Sequence, residues 1–301
     1  MSLNIFMQQL VNAASLGSLY ALLAIGYTMV YGILRLINFA HGDIFMLSTY
    51  IAFYAMTSFL LPWYISFAIA IILTILFGII LEKGAYRPLR NSPRISIMIS
   101  AIAASFLIQN LAIVIFGGRP KAFPSVSIFS KIINISGIST SSISIIIPIV
   151  TFAVLILLGY IVNQTKMGMA MRAVSKDYEA ARLMGINVNT VISFTFGIGS
   201  GLAAIGGVMW GLKYPQLIPL MGLMPGLKCF IAAVVGGIGN IKGAVIGGFI
   251  LGFGEIMIVA VSAYLPYDLS GYRDAFAFVL LIAILLLKPS GIMGKSSVEK
   301  V

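Results

Sequence analysis

Charge is scarce in this chain. Only 9% of its residues are Asp, Glu, Lys or Arg, against about a quarter in a typical soluble protein. A compact water-soluble fold of this size must cover much of its surface with polar atoms, and this sequence does not supply them. There is one cysteine, Cys229, inside an apolar run, so no internal disulfide can form. There is one histidine, His41, and no Cys/His cluster, which argues against a structural zinc site. With eight acidic residues and one histidine, no nucleophile, base and orienting group fall together, and an enzyme is not expected. Residues 1–23 contain no Lys or Arg and so lack the basic start of a cleaved signal peptide. They read as a retained first span.

Apolar residues are what the chain does have. They make up 60% of its 301 residues, which indicates an all-α integral membrane protein, a polytopic helical bundle in which lipid replaces water as the outer solvent. Apolar runs occur at Phe6–Leu34, Ile44–Leu61, Tyr64–Leu81, Ile95–Phe116, Ile143–Val162, Val191–Leu212, Leu223–Val235, Ala244–Tyr264 and Ala275–Leu287. Several fall short of the roughly 20 residues a spanning helix needs, giving about eight to ten spans. Leu223–Val235 reads as a broken or re-entrant helix. One membrane domain over residues 1–301, with no separate soluble domain, is expected.

The net charge of +11 reads as a topology signal and as contact with anionic lipid, not as nucleic-acid binding. Lys83, Arg87, Arg90 and Arg94 follow the third run, and Lys166, Arg172, Lys176 and Arg182 follow the fifth. Two runs separate these segments, so both face the cytoplasm by the positive-inside rule. The tail with Lys288, Lys295 and Lys300 is then cytoplasmic and the N-terminus outside. Arg119, Lys121 and Lys131 in the opposite loop weaken this bias without reversing it. Glycine pairs four residues apart, Gly197/Gly201, Gly207/Gly211, Gly243/Gly247 and Gly248/Gly252, mark helix faces built for close approach.

Between the fifth and sixth runs lies a polar connector, residues 163–190. Ser175 can cap a short helix there, with Asp177 and Glu179 in its first turn and Gly185 as a left-handed stop. A helix of two to three turns is not stable alone in water, so it must pack on its own domain or on a partner. Ionisable groups inside spans are functional candidates by default: Asn38, His41 and Asp43, expected at the cytoplasmic interface with His41 and Asp43 in reach of each other, and Lys228 and Glu255, expected either to pair or to line a path. Gln109 and Asn110 read as interhelical hydrogen-bonding residues. The tail sequence Gly294-Lys295-Ser296 is not a phosphate-binding loop, because Pro289 stands where that motif needs its first glycine.

Glu179-Ala180-Ala181, with Gly185 four residues on, resembles the EAA-x-x-x-G loop of ABC-importer permeases. The stretch Asn38–Asp43 (NFAHGD) resembles a signature of the branched-chain amino acid permease family. So do GMAMRAV from Gly168, LMGINV from Leu183, GLKCFIAAVVGGIG over Gly226–Gly239, GAVIGGFILG over Gly243–Gly252 and LKPSGI from Leu287. Cys229 departs from the alanine expected between lysine and aromatic. The chain is therefore similar, over nearly its whole length, to the LivH-type permease subunits of that ABC-importer family. The resemblance implies a non-catalytic subunit without cofactor of its own, with ATP and Mg held by two cytoplasmic ATPase partners. It also implies a homologous second permease, an extracytoplasmic substrate-binding protein and a bacterial inner-membrane location. Glu179, Ala180, Ala181 and Gly185 would form the ATPase-coupling helix, with leucine, isoleucine and valine as cargo. Relatives carrying urea or short amides share these motifs, and an ion-coupled secondary transporter is the alternative from another class.

Overall fold

A computed structural model describes residues 3–135, 138–262, 264 and 268–294. Lys295, Lys300 and the Gly294-Lys295-Ser296 tripeptide's last two residues lie outside them. Twelve α-helices are present among the described residues: α1 (Leu3–Leu34), α2 (His41–Thr57), α3 (Trp63–Leu81), α4 (Arg94–Phe116), α5 (Ser127–Ser130), α6 (Ser142–Gln164), α7 (Lys166–Lys176), α8 (Tyr178–Leu183), α9 (Val188–Lys213), α10 (Leu223–Gly236), α11 (Ile241–Ser262) and α12 (Arg273–Leu287). Seven helical segments are long and apolar enough to cross a bilayer, and α10 is a shorter apolar helix. α2, at 17 residues, is shorter too. The protein is thus a polytopic helical membrane bundle with almost no sheet among the described residues. The only strands among the described residues form two small antiparallel pairings: β1 (Lys121–Ala122) with the distant β4 (Gln216–Leu217), and the hairpin β2 (Ile132–Ile135) with β3 (Ile138–Ser141).

Opposite ends of the bundle differ. The end carrying the α3–α4 and α6–α9 connectors holds Arg35, Lys83, Arg87, Arg90, Arg94, Lys166, Arg172, Lys176 and Arg182, and will be called the basic end. The other, hairpin end holds the strands and the start of α1, where Gln8 donates to the Ser139 carbonyl at 2.8 Å.

Two helices form the middle: 94% of the α1 window and 78% of the α9 window are buried, against 17% for α6. Around them the chain repeats itself upside down. α1, a break, α2, α3 and α4 run in one sense; α9, a break, α10, α11 and α12 run in the other. α2 packs on α9 and α3 as α10 packs on α1 and α11, and α3 lies on α9 as α11 lies on α1. Such an inverted repeat is a recurrent transporter plan, and side-chain identity does not betray it here.

Three of the glycine pairs work as the spacing predicts, whereas Gly197 and Gly201 face only the side chains of Ile75 and Ile79. Gly243 and Gly247 meet α10, and Gly248 and Gly252 meet α1. A Cβ on Gly247 would stand 2.0 Å from the Ala232 carbonyl oxygen, and one on Gly252 2.4 Å from the Gly17 nitrogen, so only glycine permits these backbones to approach so closely.

Candidate functional site

α1 ends at Leu34, where Arg35 takes a left-handed conformation (φ 52°), a costly choice for a residue with a Cβ. The chain then turns back inward. His41, the first residue of α2, donates through Nε2–H to the Leu23 carbonyl at 3.2 Å. Leu23 lies eleven residues before the end of α1, about 16 Å in from the basic end at 1.5 Å per residue, or half the hydrocarbon depth. His41 therefore lies deeper along α1 than the interfacial position expected, and Asn38 and Asp43 are buried with it. His41 and Asp43 do not meet either. Asp43 accepts from Ser105 Oγ at 2.5 Å and from Gln109 Nε2 at 3.0 Å, both on α4. Asn38 Oδ1 accepts from the Ala40 amide at 3.1 Å and from the Tyr86 hydroxyl at 2.8 Å. Gln109 bonds between helices as expected, but Asn110 bonds only the Phe106 carbonyl of its own helix.

The second break, residues 214–222, descends from the hairpin end and delivers the start of α10 to the same depth. A Cβ on Gly222 would fall 2.0 Å from the Gly42 carbonyl oxygen. The two half-membrane helices thus start against each other and leave in opposite directions. A cavity of about 170 Å³ opens beside this crossing, lined by Asp43, Ser105, Gln109, Gly222 and Phe230 among others.

Lys228 and Glu255 do pair, at 2.8 Å, and are only 4% and 1% exposed. Sequence reading missed their company. Lys228 Nζ also lies 2.7 Å from Asp274, Arg273 Nε is 3.8 Å from Glu255, and the Tyr20 hydroxyl donates to Glu255 at 3.1 Å. The group lines a cavity of about 410 Å³ towards the hairpin end. Arg273 and Asp274 carried a legible signal, a charged pair directly preceding an apolar run.

At the basic end the connector is two helices, not one. α7 is capped by Thr165, whose side chain accepts from the Gly168 amide. Ser175 does not cap: it lies inside α7, and its hydroxyl donates to the Arg172 carbonyl. Asp177 breaks the chain and caps α8, accepting from the Glu179 and Ala180 amides at 2.8 and 3.0 Å. An aspartate cap also places negative charge at the helix start, where the dipole favours it. Gly185 closes the helix as expected, with φ +81°. The Ile186 amide bonds the Ala181 carbonyl and the Gly185 amide bonds the Arg182 carbonyl, the paired closure of a Schellman motif. Ala181 is buried and Glu179 and Ala180 exposed. Leu183 and Met184 stand 88% and 81% exposed.

Tyr178 ties this helix to the membrane. Its hydroxyl donates to the Ile33 carbonyl at 2.5 Å, an orphan acceptor at the end of α1. Burial pushes the phenol above its ordinary pKa, so it stays a donor. Nearby, Glu82 is fully buried at the start of a π-helical turn that continues α3 (Glu82–Tyr86). It is held by Arg90 at 2.8 Å and by the Ser193 hydroxyl at 2.7 Å, and Arg90 also donates to Asn189 at 2.7 Å. This carboxylate was overlooked because it directly follows an apolar run.

A family model described as the permease component of branched-chain amino acid transport systems matches residues 9–285. The chain belongs to that family. The permease is 43% identical to the high-affinity branched-chain amino acid transport system permease protein LivH of Salmonella typhimurium, over 98% of each chain. It is 42% identical to BraD, of the same description, from Pseudomonas aeruginosa, again over 98% of each. Its fold resembles the solved structure of PsaBC from Streptococcus pneumoniae in complex with Fab, at 14% identity and a TM-score of 0.51, over 94% of this chain and 92% of that one.

Proposed function

We propose that this permease, a single membrane domain, is one of two membrane subunits through which an ATP-driven, binding-protein-dependent importer moves leucine, isoleucine and valine. The cargo reading is supported by the names its relatives carry. The coupling reading is carried by one observation: α8 presents two large apolar side chains, Leu183 and Met184, to water at the basic end. That is a costly arrangement unless something covers them. A groove on a cytoplasmic ATPase is the proposed cover. Glu179 and Ala180 face that groove, Ala181 anchors the helix to its own domain, and Gly185 sets its exit direction. Two such ATPases bind the ATP and Mg; a homologous second permease and an extracytoplasmic substrate-binding protein complete the assembly. The basic end faces the cytoplasm of a bacterial inner membrane and the N-terminus lies outside.

ATP-driven closure of the partners displaces α8. Tyr178 passes that displacement to the end of α1 and hence to the break at 35–40, shifting a balance between two states of the crossing. The test is uptake by the reconstituted complete transporter, with leucine and urea compared. ATP-dependent leucine uptake is expected. Uptake driven by an ion gradient without the ATPases, or uptake of urea alone, would refute the proposal.

A further inference from the structure

We infer that the cavity holding Lys228, Glu255, Arg273 and Asp274 is an outer transit site for a zwitterion, where a free amino acid sits before reaching the mid-membrane crossing. This rests on the functional reading above and extends it to a substrate-binding surface.

The argument starts from what a structural ion pair requires. Lys228 and Glu255 alone would satisfy one another, and a purely structural pair needs no cavity beside it. Here the pair lines a cavity of about 410 Å³, within the roughly 300–1,000 Å³ of small-molecule sites. A second pair, Arg273 and Asp274, stands at its mouth with side chains 49% and 44% exposed. The groups divide into holders and receivers. Glu255 is held from three sides, by Tyr20, Lys228 and Arg273. Arg273 reaches Glu255 only through Nε at 3.8 Å, and among the described residues no hydrogen bond engages the rest of its fork. A planar guanidinium so placed matches a carboxylate in two parallel bonds. The second oxygen of Asp274, whose Oδ1 meets Lys228 at 2.7 Å, accepts an ammonium.

The four charges sum to zero. An α-amino acid brings one charge of each sign, so it enters without changing the net charge of the site. A neutral amide, or an ion of one sign, leaves part of the cluster unanswered. The remaining wall is mostly apolar, aromatic at Trp210 and Tyr214 and aliphatic at Ile218, Leu220 and Met224, with Gln216 beside them, and it suits a branched apolar side chain.

A phosphatidylethanolamine headgroup carries the same pairing of ammonium and anion, so the test separates the two. The complete transporter is reconstituted in proteoliposomes with and without phosphatidylethanolamine, and leucine import is measured for wild type, Arg273→Gln, Arg273→Lys and Asp274→Asn. Co-purification of the partner ATPases confirms assembly. Both neutral variants should lose at least tenfold in import in either lipid, and Arg273→Lys, which keeps the charge but not the fork, should fall between. In detergent, without binding protein, saturating leucine should raise the thermal midpoint of the wild-type complex and leave that of Arg273→Gln unmoved. Wild-type import by Arg273→Gln would overturn the inference while leaving the proposed function standing. A defect confined to liposomes containing phosphatidylethanolamine would assign the cavity to lipid and overturn it equally. A wild-type complex that imports urea and no branched-chain amino acid would sink the functional reading itself.

Discussion

α2 and α10 occupy equivalent places in the inverted repeat, yet they are held by different means. The start of α2 is fastened by side chains: Asn38 to Tyr86, His41 to the α1 backbone, Asp43 to Ser105 and Gln109. The start of α10 has no side-chain cap and rests on glycine contacts at Gly222 and Gly226. Its far end is gripped by the tail, where the Ile292 and Met293 amides bond the Val235 and Gly236 carbonyls at 2.9 Å. A helix start fixed by directional bonds has one arrangement. One fixed by backbone contact loses no side-chain hydrogen bond there when it shifts, and the directional ties of α10 begin only at Lys228 and the tail. We read α2 as the fixed jaw of the crossing and α10 as the moving one.

Lys228, the one charged residue of α10, gives the largest way to break this contrast. Lys228→Met leaves Glu255 and Asp274 without their shared cation, and loss of one partner from a buried pair costs about 3–5 kcal/mol; chemical unfolding in detergent should register it. Gly222→Val forces α10 away from α2 by adding bulk against the Gly42 carbonyl. Overpacking costs typically about 1–3 kcal/mol, and leucine import should fail even in the fraction that assembles. Asp43→Ala tests the fixed jaw. It strands Ser105 and Gln109 at about 1–3 kcal/mol, and cysteine cross-linking between α2 and α4 should show the jaw loosened. Gly185→Val acts far from the crossing. A β-branched residue in the left-handed region costs about 1–2 kcal/mol, felt only in the exit from α8, so ATP hydrolysis should continue while import falls; normal import would remove α8 from the coupling role. Tyr178→Phe is the mildest. One lost hydrogen bond is worth about 1 kcal/mol, so stability barely moves, and a lower ratio of leucine imported to ATP hydrolysed is the expected readout.

The membrane helices were legible because each had an apolar run, and Leu223–Val235 was readable as broken or re-entrant because it was too short. α2 was misplaced by three residues at its start because Asn38–Asp43 is polar, and polar residues beside a span look interfacial. Only the return of the chain along α1 carries them inward. Ser175 and Asp177 are both competent cap acceptors, and which of them caps depends on where α7 ends. That end is set by packing of Met171 and Val174, which are buried, and not by local preference. Glu82 escaped notice because the acidic end of a span reads as solvated until Arg90 and Ser193 are seen folded over it.

The residue order by itself determined that this chain lives in lipid, which of its ends is basic, that Gly185 stops a short exposed helix, and where backbones must touch. Each of these follows from the transfer of apolar groups out of water or from the missing Cβ of glycine, and both are properties of a residue and its near neighbours. Tertiary structure alone decided that two half-helices begin face to face in mid-membrane and that Asp274 joins Lys228. It also decided that two opposed sets of helices repeat one plan. Those depend on segments far apart in the chain meeting in a medium where an unpaired polar group is costly, and such meetings leave no local trace.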